Sequence, residues 1–197
     1  MTENLDSIFY YSTMMKFLPR AGWLMKGVKN PESLADHSFG VAFSTMMMGK
    51  EIIQDGRWEL DLEKAIQIAL IHDLAESLIT DIPSPMIRFF GEKNKYNAEK
   101  AALYEIFSSS IWADEMVSLW EEFEQNSTAE GRLVRAADKI DMVLQLCRYE
   151  EAGNRSLDDF WSDSETIFSG LGGSETEREY YSGIYEKIKS RHLRKYM

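Results

Sequence analysis

The stretch Leu62-Glu63-Lys64-Ala65-Ile66-Gln67-Ile68-Ala69-Leu70-Ile71-His72-Asp73-Leu74-Ala75-Glu76 decides the fold class. Its apolar positions Leu62, Ala65, Ile66 and Ala69 recur with the period of a helix and not with the alternation of a strand. Carried on at the same spacing, that inward stripe arrives at His72, Asp73 and Glu76. Burying even one carboxylate without a partner costs several kcal/mol, so three ionisable groups on one buried face call for compensating charge, which a cation supplies. In a continuous helix His72 and Asp73 stand roughly 100° apart, close enough to share one ion, with Glu76 one turn above His72.

Outward from this stretch, prolines at 19, 31, 83 and 85 and glycines at 22, 27, 40, 49, 56, 91 and in the cluster 170–173 leave long uninterrupted segments. No run of alternating β-branched residues interrupts them, so the expected class is all-α, a single helical bundle with a metal site between helices. Helices are expected near 4–16, 33–54, 61–79, 95–111, 113–125, 128–150, 156–168 and 175–193. Ser33 with Asp36, and Ser174 with Glu177, have the spacing of capping boxes. The segment Ser169–Gly173 marks a hinge before a last helix whose Lys187, Lys189, Arg191, Arg194 and Lys195 suit a helix C-terminus. Residues 1–155 are therefore expected to form the core, and 156–197 a helical extension that packs on it or serves as a dimer arm.

The segment 128–150 breaks its own pattern in the same way. Leu133, Val134, Ala136, Ala137, Ile140, Met142, Val143, Leu144 and Leu146 cover most of its circumference, yet Asp138, Asp141 and Gln145 form a polar stripe within it. Of the three histidines, His37 shares a face with Val41, Ser44 and Met48, while His192 lies in the basic terminal helix and is expected at the surface. Each residue has a plainer explanation: His37 as a satisfied core histidine, Asp73 or Asp138 as an ion pair with Arg132, Arg135 or Lys139, and Glu76 as an exposed residue. Polar breaks in three helices would then need separate explanations. One mixed nitrogen and oxygen metal site explains them together, with ligand types that suit Mn, Co, Fe, Zn or Ni without choosing among them.

Composition bounds the partners. The 197 residues include 33 Asp or Glu against 22 Lys or Arg, a net charge of −11 that disfavours nucleic acid and anionic lipid as partners. With 44% hydrophobic and 12% aromatic residues the chain has ample material for a packed core. The single cysteine, Cys147, forms no internal disulfide, which suits a reducing compartment. Met1–Asp6 lacks the pattern of a signal peptide, and no apolar run approaches the ~20 residues of a membrane span, so a cytoplasmic protein is expected. Met46, Met47 and Met48, with Phe9, Tyr10 and Tyr11, offer apolar surface for a homodimer.

His37 in Leu34-Ala35-Asp36-His37-Ser38, the pair His72-Asp73, and Asp138 in Ala136-Ala137-Asp138-Lys139-Ile140-Asp141 resemble the H…HD…D pattern of the HD-domain metal-dependent phosphohydrolases. More narrowly, Leu18-Pro19-Arg20-Ala21-Gly22-Trp23, Asn30-Pro31-Glu32-Ser33, Asp81-Ile82-Pro83 and Asp141-Met142-Val143-Leu144-Gln145 look like the 5'-deoxynucleotidase branch, over roughly residues 5–150. The resemblance implies hydrolysis of deoxyribonucleoside 5'-monophosphates. It implies His37, His72, Asp73 and Asp138 as ligands of a divalent ion (Co, Mn, Fe, Zn, Ni or Mg) and Glu76 as the residue that positions or deprotonates the attacking water. It further implies that Asp81 holds the sugar, that Trp23 lies beside the substrate, and that Arg20 binds the phosphate. In the bacterial enzymes of the group an arginine directly precedes the tryptophan. Here Gly22 does, and Lys26 and Lys139 are further candidates for the phosphate. Two other functions fit the same residues: HD hydrolysis of a cyclic nucleotide, a triphosphate or guanosine tetraphosphate, and a non-catalytic adaptor with a structural metal.

Overall fold

The computed structural model describes residues 5–161, 168 and 170–194. Its helices are α1 (Leu5–Met14), α2 (Ala21–Met25), α3 (Leu34–Gln54), α4 (Leu62–Ile71), α5 (Glu76–Ile79), α6 (Ser84–Phe90), α7 (Glu92–Ile106), α8 (Ala113–Gln125), α9 (Ala129–Glu151) and α10 (Glu175–Leu193). The described residues contain no strand; the one β-type pairing among them is an isolated antiparallel bridge between Pro19 and Ser33. The all-α expectation holds. Part of the expected helix 156–168 lies outside the described residues.

The chain divides into two compact units, residues 1–39 with 70–121, and residues 40–69 with 122–197. In the first, α1 packs on α5 and α7, and α7 also packs on α5 and α6. The interior takes Trp23, Leu34, Leu74, Leu103, Ile106 and Trp120, with the Tyr96 ring 5.0 Å from that of Trp120. Ser33 and Asp36 form the expected reciprocal cap at the start of α3: the Asp36 carboxylate accepts from the Ser33 N–H at 2.9 Å, and the Ser33 hydroxyl from the Asp36 N–H at 3.1 Å.

In the second unit α10 packs on α9, whose Leu133, Val134, Ala136, Ala137, Val143 and Leu146 are fully buried. Leu144, expected inside, is 43% exposed, so α9 keeps one wet edge. Thr128 caps α9 by accepting from the Gly131 N–H at 3.1 Å. Gly131 lets the backbones close up, since a Cβ there would stand 2.4 Å from the Glu122 carbonyl oxygen. The capping box of Ser174 and Glu177 opens α10, and Glu177 also pairs with Arg132 at 3.0 Å.

Two further expectations are corrected. His192 is buried: its Nε2 lies 2.6 Å from Glu150 Oε2 and its ring 5.7 Å from that of Trp161, so the basic terminal helix turns its histidine inward onto a carboxylate. The segment 61–79 is not one helix either. After Ile71 the backbone tightens to i,i+3 hydrogen bonds, from Leu74 N–H to Ile71 O, Glu76 to Asp73, Ser77 to Leu74 and Leu78 to Ala75, before α5 closes it. The helices α2 and α6, too short to show a hydrophobic period, were not expected; Pro85 suits the first turn of α6 because no N–H is needed there.

Candidate metal centre

The first unit gathers most of the residues singled out by the sequence. His37, on the first turn of α3, is fully buried, and His72, just past the end of α4, is nearly so. Their rings lie 5.5 Å apart at 61°. The Asp73 carboxylate faces both: its Oδ2 is 3.3 Å from His72 Nε2 and 3.6 Å from His37 Nε2. These separations are long for hydrogen bonds but suit donors that share an ion through bonds of about 2.1 Å, which puts adjacent ligands about 3.0–3.4 Å apart. Imidazole nitrogens with a carboxylate are the donor set of a borderline divalent cation, so the residues present fit such an ion.

The break in the α4 helix creates this arrangement. In a continuous helix His72 and Asp73 would diverge by about 100°, with Glu76 stacked over His72. The i,i+3 turns swing them differently, while Leu74 and Ala75 remain buried as anchors.

Charges around the cluster are balanced within the unit. Arg20 Nη1 donates to Asp73 Oδ2 at 3.0 Å. Burial pushes the Asp73 carboxyl upward, but His72, Arg20 and His37 outweigh it and hold the group well below the usual carboxylate range. Glu76 goes the other way: burial above all, then Asp73 and Asp81, raise its carboxyl well above the usual range, against the opposing charges of Arg20 and Lys95. Glu76 Oε2 is buried with no hydrogen-bond partner among the described residues. An unpartnered carboxylate oxygen beside a His/Asp cluster can take a proton from water.

Asp81 Oδ2 accepts from the Ala21 backbone N–H at 2.6 Å, tying the turn after α5 to the start of α2. Trp23, on α2, is buried, and its indole N–H donates to Glu32 Oε1 at 2.8 Å. The sequence marks Glu32 only indirectly, through the need of a buried indole N–H for an acceptor. Asp138 belongs to the second unit, buried on α9 with its Oδ2 3.0 Å from Lys139 Nζ. Arg132 and Arg135 on the same helix are engaged elsewhere, Arg132 with Glu177 and Arg135 with Glu124. No helix among the described residues is long and apolar enough to cross a membrane.

Residues 13–170 match the family model described as HD domain. The chain is 40% identical over 152 residues to a 5'-deoxynucleotidase HDDC2 of Dictyostelium discoideum, covering 76% of this chain and 79% of that one. It is 32% identical over 160 residues to the human 5'-deoxynucleotidase HDDC2, covering 79% of this chain and 74% of that one. Among solved structures it resembles a conserved hypothetical protein from Pyrococcus furiosus, with a TM-score of 0.79 and 38% identity over 93% of this chain and 98% of the other.

Proposed function

Because the chain belongs to the HD-domain family, we propose that it is a metal-dependent 5'-deoxynucleotidase, which hydrolyses deoxyribonucleoside 5'-monophosphates to deoxyribonucleosides and inorganic phosphate. The observation that carries this is the 40% identity to a 5'-deoxynucleotidase over 152 residues, a span that takes in most of the chain. The cluster of two buried imidazoles and a carboxylate supports it independently.

His37, His72, Asp73 and Asp138 would hold the divalent ion, one of Co, Mn, Fe, Zn, Ni or Mg. When bound, such an ion polarises a phosphoryl oxygen and acidifies water. Glu76 takes the proton of the attacking water at Oε2, a task suited to a carboxylate whose proton affinity is raised by burial. Arg20 holds Asp73 through its Nη1 and brings positive charge to an acidic protein where a phosphate dianion must bind. Asp81 keeps one oxygen on the Ala21 N–H, leaving the other to receive the sugar 3'-hydroxyl, and Trp23 lines the sugar.

The proposal extends to a cytoplasmic homodimer. Its sole cysteine, Cys147, is buried, as suits a reducing compartment, and Phe43 and Met47, one turn apart on α3, are about half exposed. The test is phosphate release from a panel of 5'- and 3'-monophosphates, triphosphates and cyclic nucleotides, with each divalent ion in turn. Turnover confined to deoxyribonucleoside 5'-monophosphates is expected; turnover of triphosphates or cyclic nucleotides alone would reassign the substrate.

A further inference from the structure

The segment that presents Arg20 and Trp23 is closed on itself. Arg20 N–H donates to the Glu32 carbonyl at 3.0 Å and Leu34 N–H to the Leu18 carbonyl at 2.9 Å, on either side of the Pro19–Ser33 bridge. Within the loop so formed, the Lys26 and Val28 N–H groups both donate to the Trp23 carbonyl at 3.1 Å, and the Ala21 N–H is held by Asp81. The Trp23 backbone is thus fixed from several sides. Its side chain is buried and has two torsions, and turning the indole over would carry the N–H to the opposite edge of the ring. The hydrogen bond from the indole N–H to Glu32 Oε1 at 2.8 Å distinguishes the two orientations. Glu32 is itself anchored at the base of the loop through its backbone carbonyl, which keeps its carboxylate within reach of the indole.

We propose that Glu32 is a positioning residue for sugar specificity: by accepting the indole N–H it holds the Trp23 ring in the one orientation that closes the sugar pocket against a 2'-hydroxyl. This rests on the reading that Trp23 lines the deoxyribose. A ring released from Glu32 samples both orientations, so the pocket admits the ribonucleotide more readily while the proton-transfer residues stay in place.

The test compares kcat/KM for matched deoxyribo- and ribonucleoside 5'-monophosphates of one base in wild type, Glu32→Gln, Glu32→Ala, Trp23→Phe and the Trp23→Phe/Glu32→Ala double variant. Dissociation constants of both nucleotides for the metal-stripped proteins provide a second readout. Glu32→Ala is expected to lower the deoxy-to-ribo ratio about tenfold, the effect of losing one charge-assisted hydrogen bond. Glu32→Gln, whose side-chain carbonyl still accepts the N–H, should retain most of the preference. In the Trp23→Phe background Glu32→Ala should change the ratio no further. An equal loss on both substrates in Glu32→Ala, or an undiminished effect without the indole, overturns the proposal. If Trp23→Phe leaves the ratio of an active enzyme unchanged, the role of Glu32 falls while the deoxynucleotidase function stands; if wild type hydrolyses no 5'-monophosphate with any divalent ion, both fall.

Discussion

Thr80 offers a prediction that can be worked in numbers. It ends α5, its N–H bonded to the Glu76 carbonyl at 2.8 Å, and its backbone sits at φ 67°, ψ 163°. That region is essentially reserved for glycine, and a β-branched residue held in it carries about 1–3 kcal/mol of strain. The side chain gives little back, since it is exposed and its hydroxyl reaches the Asp81 carbonyl only at 3.4 Å. Thr80→Gly removes the strain at an entropic cost of roughly 0.5–1 kcal/mol, for a net gain of about 1 kcal/mol. For a chain of this size that raises Tm by about 2–4 °C. Thr80→Ala, which keeps a Cβ at positive φ, should gain only a fraction of this. Asp81 stays tied to the Ala21 N–H in either variant, so turnover should remain within about twofold. Differential scanning fluorimetry of the three proteins, with kcat measured alongside, decides the matter. A glycine variant that melts at or below wild type, or an alanine variant that gains as much, would refute the strain account.

Gly131→Ala would drive a Cβ to 2.4 Å from the Glu122 carbonyl, so a loss of about 1–3 kcal/mol is expected in urea denaturation, with kcat little changed in the folded fraction. Because the folded-state pKa of Glu76 is raised, its protonated form contributes stability that is present below the unfolded pKa and is lost as pH rises through the folded one. Glu76→Gln should therefore stabilise the metal-free protein increasingly toward alkaline pH, which melts in chelator across that range would show. Glu76→Ala should bind a divalent ion as wild type does, by metal analysis, yet lose at least a hundredfold in turnover.

Much of the fold was legible because helical period and capping are local properties. The stripe Leu62, Ala65, Ile66 and Ala69, the nearly all-round burial of α9, and the boxes at Ser33 and Ser174 follow from neighbours along the chain. Its limits were tertiary. A strict 3.6 period carried through His72 to Glu76 missed the change to i,i+3 bonding, because no proline or glycine marks it. The basic sequence around His192 gave no sign that Glu150, on a distant part of the chain, would draw it inward. Asp73, Glu76 and His37 were legible as charges out of place in apolar stripes. Arg20 on Asp73, the Ala21 N–H on Asp81 and Trp23 on Glu32 were not, since such pairings depend on loops whose paths no periodicity describes.

The central claim is that a divalent ion held by the His/Asp cluster enables hydrolysis of deoxyribonucleoside 5'-monophosphates. It is tested most directly by stripping the protein with chelator, adding back Co or Mn, and following phosphate release and bound metal together in wild type and His72→Ala. The account predicts no turnover when stripped, recovery in step with metal uptake for wild type, and neither metal nor turnover in the variant. Turnover that persists in chelator, or that returns equally in His72→Ala, would contradict it.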